Sequence, residues 1–258
     1  MAELDLLKDE GIEVSVTVVD QLLEKHNFRK RKAVKALATG ESEHRNEQFE
    51  RIEQLKDRYQ AAGNPVLSMD TKKELIGQLY RAGQLYTQEQ GVEVFDHDWA
   101  TLAEGVAIPQ GLYDLSDNIG YIQIGTSHDT SEFACDSIRY WWNTYGKVRY
   151  PLADSILLLC DGRGSNSSRY YIFKQDLQAL VDELGIKIRI AHYPPYTSKF
   201  NPIEHRLFPH VSRICQGVIF ESVQMVKELM AKATTRTGLK VFTTILDKTY
   251  QTGRKVAQ

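Results

Sequence analysis

The segment Ser155-Ile-Leu-Leu-Leu-Cys-Asp161 constrains the fold more than any other. Its apolar run is continuous, without the alternation of a half-solvated strand, and it is short for a helix. A strand of this kind is covered on both faces and lies centrally in a sheet that carries helices on both sides. An α/β architecture follows, and the acid that closes the run stands at the strand's carboxyl end.

The other elements are consistent with that sheet. Pro65-Val66-Leu67-Ser68-Met69-Asp70 is a second apolar run ending in an acid. Residues 111–117 and 119–125 are expected to be two strands joined at Asn118, and 186–192 alternates as a strand does. Helices are expected over 129–145, 169–184, 201–213 and 221–232. The first of these is capped by Asp129 or Thr130, with Phe133, Ile138, Trp141 and Trp142 facing a core. Residues 71–108 have weak periodicity and suit an insertion or long loop. The order is three strands, then helix, strand, helix, strand, helix. Strands alternating with helices imply parallel crossovers, and the strands before them imply a meander. This is the order of a ribonuclease-H-like mixed sheet flanked by helices.

Ahead of this domain, residues 12–28 suit a helix with Ser15 as N-cap, followed by Lys25, Arg29, Lys30, Arg31, Lys32 and Lys35. A helix followed by basic residues fits the last helix of a helix-turn-helix lying on DNA, or a solvated helix end. Too few residues precede it for a complete motif. Residues 41–62 suit a connector helix with Phe49, Ile52, Leu55 and Tyr59 as its apolar stripe, stopped by Gly63-Asn64-Pro65. The expected division is therefore 1–40, a residual DNA-binding segment; 41–64, a connector; and 65–258, the α/β domain.

The 258 residues carry a net charge of −2, so any nucleic-acid surface must come from local patches. No apolar run is long enough to span a membrane, and the acidic N-terminus does not resemble a signal peptide. Cys135, Cys160 and Cys215 lack metal-ligand spacing and suit reduced, buried thiols. The expected location is the cytoplasm, with the protein on the nucleoid when bound to DNA.

Three acids carry the expected chemistry. Asp70 and Asp161 end apolar strands, and Glu204 lies near a helix start in His192-Tyr-Pro-Pro-Tyr-Thr-Ser-Lys-Phe-Asn-Pro-Ile-Glu-His. Strand ends of an open sheet gather ligands, and the first and fourth strands can be neighbours in this order. Carboxylates are the ligands Mg²⁺ prefers. Two such ions about 4 Å apart activate an attacking hydroxyl and stabilise the leaving oxygen in phosphodiester cleavage.

The segments VLSMDTKKELIG, IGTSHDTSEFACDSIRYWW, LLLCDGRGSNSSR and YPPYTSKFNPIEHRLF together resemble the DDE-type insertion-sequence transposases of the ISAzo-thirteen group. The resemblance runs from the first helix to near residue 215. It implies a ribonuclease-H-like fold and a catalytic, metal-binding triad at Asp70, Asp161 and Glu204. It also implies two Mg²⁺ or Mn²⁺ ions, and DNA cleavage with strand transfer of an insertion element. The partners would be element ends and target DNA, with a homo-oligomer as a further expectation. Lys72, Lys73, Arg169, Lys199 and Arg206 suit phosphate contacts, as do Arg29, Lys30, Arg31 and Lys32. Asn166, Asn201 and His205 suit supporting roles around the acids. Gly162 and Gly164 allow a tight turn beside Asp161, which Arg163 interrupts. His192, at a strand end, is a weaker candidate for the site. Trp141 and Trp142 suit the core better than base stacking. The alternative function is an N-terminally shortened, inactive remnant that keeps DNA binding or oligomerisation.

Overall fold

The computed structural model describes residues 14–29, 44–84, 87–88, 90–96, 99–161, 171–195 and 197–254. The chain divides into two compact units, 1–41 and 42–258. In the first, α1 (Val16–Lys25) is capped by Ser15, whose side chain accepts from the Val18 amide, and none of its residues is buried. The Arg29 guanidinium donates back to the carbonyls of Glu24 and Phe28 at 3.3 and 3.2 Å, closing the helix end on itself. Lys30, Arg31, Lys32 and Lys35 lie outside the described residues.

The second unit is a mixed sheet between helices. Its strands are β1 (Val66–Thr71), β2 (Glu74–Ile76), β3 (Gly105–Asp114), β4 (Ile119–Gly125), β5 (Ser155–Asp161), β6 (Lys187–Tyr193) and β7 (Lys240–Ile245). The order across the sheet is β6-β5-β1-β3-β4-β7, with β2 paired to β3. β1, β5 and β6 run parallel, while β3 lies antiparallel between β1 and β4. The apolar run 155–160 is therefore internal, between β1 and β6, and Ile156 to Cys160 are fully buried, as its composition requires.

On one face lie α3 (Ser131–Trp141), which continues through a π-helical turn (Trp142–Gly146), and α4 (Tyr171–Leu184). Their side chains pack with Leu67, Met69, Leu112, Tyr121 and Leu158. Thr130 rather than Asp129 is the side-chain cap of α3, accepting from the Phe133 amide at 3.2 Å. On the other face lie α2 (Arg45–Ala61), α5 (Ile203–Arg206), α6 (Phe208–Ile214) and α7 (Val223–Met230). Side chains of α2 cover Val66, Leu157 and Leu159, and those of α5 to α7 cover Ala107, Tyr113, Ile122 and Ile124. Period two then places Ser68, Asp70 and Asp161 on this second face, with Val66, Leu157 and Leu159.

Four features differ from the sequence expectation. The strand expected at 111 begins at Gly105, because Gly105, Val106 and Ala107 pair with β2 and Ile108, Pro109 and Gln110 with β4. The insertion contains β2 and a 3₁₀ turn over Ala100–Leu102. The helix expected over 201–213 breaks at Leu207, and Pro209 starts the second piece. A seventh strand, β7, extends the sheet parallel to β4.

Candidate active site

The register brings the first two acids together. Met69 pairs with Cys160 across parallel β1 and β5, so Asp70 and Asp161 leave adjacent strand ends side by side. Glu204 comes from the far side of the chain on α5, a helix of only four residues. Its position is set by a buried polar bolt. The Ser68 hydroxyl, fully buried on β1, accepts from the Ile203 amide at 2.9 Å and donates to the Asn201 side-chain carbonyl. Asn201, also fully buried, donates to Met69 O at 3.3 Å and to Asp161 Oδ1 at 3.4 Å. One asparagine thus ties the strand carrying Asp70, the carboxylate of Asp161 and the turn into the helix of Glu204.

Glycine makes the close approach of α5 possible. A Cβ on Gly111 would stand 2.7 Å from Ile203 Cδ1 and 2.9 Å from Phe208 Cε1. A Cβ on Gly120 would strike the side chain of Leu207. Both glycines therefore let the α5–α6 segment lie directly on β3 and β4.

The electrostatics show how close the acids are. Burial, first, and then a hydrogen bond with Glu204 push the Asp70 carboxyl up to about 8; the charges of Glu204 and Asp161 add to the rise, and the Thr71 amide opposes it. The Thr71 amide donates to Asp70 Oδ1 at 2.8 Å. The Asp70 carboxyl is thus held well above the ordinary carboxylate range by its burial and by the two acids beside it. The Cys160 thiol is raised by its own burial and then by Asp70 and Asp161. Among the described residues, no three His, Cys, Asp or Glu side chains form a ready-made set of metal ligands. Glu204 and Asp161 both lie near enough to Asp70 to repel its charged form, a repulsion that a bound cation would relieve.

The remaining candidates occupy different positions. Lys72, two residues past Asp70, donates to Ser212 Oγ at 3.1 Å and lies 4.7 Å from the centre of the Phe208 ring. Lys73 is exposed and lines a cleft with Glu74, Arg81 and Ser212. Lys199 is exposed over the Phe200 ring, and His205 and Arg206 are exposed on α5. His192 pairs with Cys160 across β5 and β6, and its carbonyl accepts from Gln48 Nε2 at 2.6 Å. Gly162, Arg163, Gly164, Ser165, Asn166 and Arg169 lie outside the described residues. Trp141 and Trp142 are buried in the core. Two residues were not singled out from the sequence. Ser68 is a polar residue in an otherwise apolar strand. Gln110, fully buried, accepts from Thr71 Oγ1 at 2.7 Å and donates to the Asp70 carbonyl at 3.4 Å, supporting the β1 end from the β3 side. For Ser68 the signal was a polar residue inside an apolar strand; Gln110 lay outside the expected strand and carried none.

No curated protein matches the chain. Among solved structures, the mariner Mos1 paired-end complex with Mg is similar at 14% identity over 87% of this chain and 67% of that chain, with a TM-score of 0.51. The Mos1 mariner paired-end complex with Mn aligns at 16% identity over 88% of this chain and 68% of that chain, with a TM-score of 0.48. The first likeness establishes a ribonuclease-H-like fold, in agreement with the strand order. The family profile described as the Rhodopirellula transposase DDE domain matches residues 3–258, well beyond the region near residue 215 where the motifs end. With that profile covering nearly the whole chain, the protein belongs to this family of DDE transposases.

Proposed function

We propose that this chain cuts DNA at the ends of an insertion element and joins them to target DNA, with Asp70, Asp161 and Glu204 as the acids that hold two Mg²⁺ or Mn²⁺ ions. The observation that carries this reading is the sheet register, which puts Asp70 and Asp161 on adjacent strand ends, with Glu204 near enough to raise the Asp70 carboxyl. Half-buried acids gathered at one point favour positive charge, and their hard oxygens suit Mg²⁺. When bound, the ions would activate water or a 3′-hydroxyl and stabilise the leaving oxygen.

The chain's own residues set the geometry. Asn201 holds one oxygen of Asp161, so that carboxylate keeps a fixed orientation. Ser68 fixes the start of α5 and with it Glu204. Lys72, Lys73, Lys199 and Arg206 lie on β1's exit and the Glu204 segment, where they would take phosphates and set the register of the strand to be cut. Arg169, Asn166 and the basic run from Arg29 to Lys32 are proposed for the same contacts, with His205 supporting Glu204. Paired-end assembly is a property of the Mos1 complexes; their likeness in fold supports action of this chain as a homo-oligomer on two ends.

The test is nicking of element-end DNA in Mg²⁺ by the wild type and by Asp161→Asn. The reading expects cleavage by the first and a loss of at least a hundredfold in the second, with strand transfer lost in parallel. Equal cleavage by both would refute the triad.

A further inference from the structure

On the face of the sheet that carries α2, but at the opposite end of the strands from the acids, an open groove of about 490 Å³ runs between the last turns of α2 and the start of β6. It is lined by Arg58, Lys187 and Arg189, and a smaller hollow on α2 joins Arg58 to Arg51. All four side chains are exposed, and none has a carboxylate within ion-pair distance among the described residues. Four exposed cations thus gather along one groove and its adjoining hollow in a chain whose net charge is −2.

The groove's other lining favours an extended anion. Its one acid, Asp154, is already engaged by Asn64, whose amide donates to Asp154 Oδ1 at 2.8 Å and whose carbonyl accepts the Asp154 amide at 3.1 Å. Tyr59 is buried with its hydroxyl bound to Ser155 Oγ at 2.7 Å, so no aromatic face is offered for a base or an apolar side chain. Arg51 and Arg58 are two helical turns apart, about 10 Å along α2, which spans about three phosphates of one DNA strand. Lys187 and Arg189 alternate on one face of β6 and continue the line of charge.

We infer that the Arg51–Arg58–Lys187–Arg189 groove binds the phosphate backbone of duplex DNA away from the point of cleavage, as a second, sequence-independent contact. The inference rests on the reading of the chain as a DNA-acting protein. Ser155 begins β5 and Asp161 ends it, so the two surfaces lie about 20 Å apart along the strand, roughly a duplex width. A duplex engaged at the acids is thereby held at two places on one face.

The experiment uses the full chain and a random-sequence duplex of about 40 base pairs, with binding followed by fluorescence anisotropy across a salt series. Arg58→Gln combined with Arg189→Gln should weaken binding about tenfold or more at 0.1 M salt. It should also lower the slope of log affinity against log salt by about 1.8, since each phosphate contact contributes about 0.9. Arg58→Lys with Arg189→Lys keeps the charge and should keep the slope. A wild type that binds with a steep slope, and a double glutamine variant with the same slope and the same melting temperature, would overturn this inference alone. A wild type that binds no DNA would instead remove the reading on which it rests. Weaker binding by the lysine variant to the same extent as by the glutamine variant would assign the effect to packing rather than to phosphate contact, and would equally overturn it.

Discussion

Removing one hydroxyl should loosen the whole candidate site. Ser68 is fully buried, and its Oγ both accepts the Ile203 amide at 2.9 Å and donates to Asn201. Ser68→Ala leaves the Ile203 N–H and the Asn201 side-chain carbonyl buried without their partner. Each such loss costs about 1–3 kcal/mol, so the variant should be about 3 kcal/mol less stable than the wild type, against a total of about 5–15 kcal/mol for a typical domain. In a domain of this size that is a fall of roughly 6–12 °C in Tm. The same two groups position Glu204 and Asp161, and a displacement of about 1 Å at such groups can cost about a hundredfold in rate. Urea melts give the first number. Metal-dependent nicking, at a temperature where the variant is fully folded, gives the second. Affinity for DNA should stay within about twofold, because Ser68 faces no solvent. A stability loss below about 0.5 kcal/mol with full cleavage would show that the hydroxyl does not fix the turn, and the account of how Glu204 is placed would fail.

Two further substitutions probe the scaffold. Gly111→Ala puts a methyl group 2.7 Å from Ile203 Cδ1; the α5 segment must lift, so we expect a loss of about 1–3 kcal/mol and reduced cleavage, checked by melting and nicking assays, whereas an unchanged nicking rate would argue against close seating of α5. Asp114 is fully buried and its carboxyl is raised by burial, with bonds from the Tyr150 hydroxyl and the Ser116 amide working against the rise. A raised folded-state value means that its contribution to stability is complete below the unfolded value of 3.8 and is lost as pH rises through the folded one. The stability advantage of wild type over Asp114→Asn should therefore shrink with rising pH across that window, as denaturant melts at successive pH values would show, and an advantage that grew would contradict the assignment.

The parts of the site that lie on long, strongly patterned elements were legible in the sequence. Asp70 and Asp161 end apolar runs, and a run covered on both faces must be central, so the sequence allowed their adjacency and the β1–β5 register supplied it. The break in the helix at Leu207 was not expected, although Pro209 signals it, since its ring is tolerated at a helix start and not within one. β7 was hidden because Lys240-Val-Phe-Thr-Thr-Ile lies at the sheet edge, where most of its side chains are only partly buried and the apolar signal is diluted. The start of β3 was hidden by Gly105 and Pro109, which suggest a loop until the partner strands are known. Ser68 and Gln110 could not be assigned because their roles depend on partners 135 and 40 residues away, respectively. The basic groove was invisible for the same reason: Arg58 and Arg189 each look like ordinary surface charge, and only the packing of α2 beside β6 brings them together.

The central claim is that three acids, distant in sequence, hold divalent metal together. The most direct measurement is anomalous diffraction from crystals soaked in Mn²⁺. The account predicts anomalous peaks in contact with the carboxylates of Asp70, Asp161 and Glu204, and their loss in Asp161→Asn crystals. Peaks found only at other acids, or peaks at this site that persist in Asp161→Asn, would contradict it.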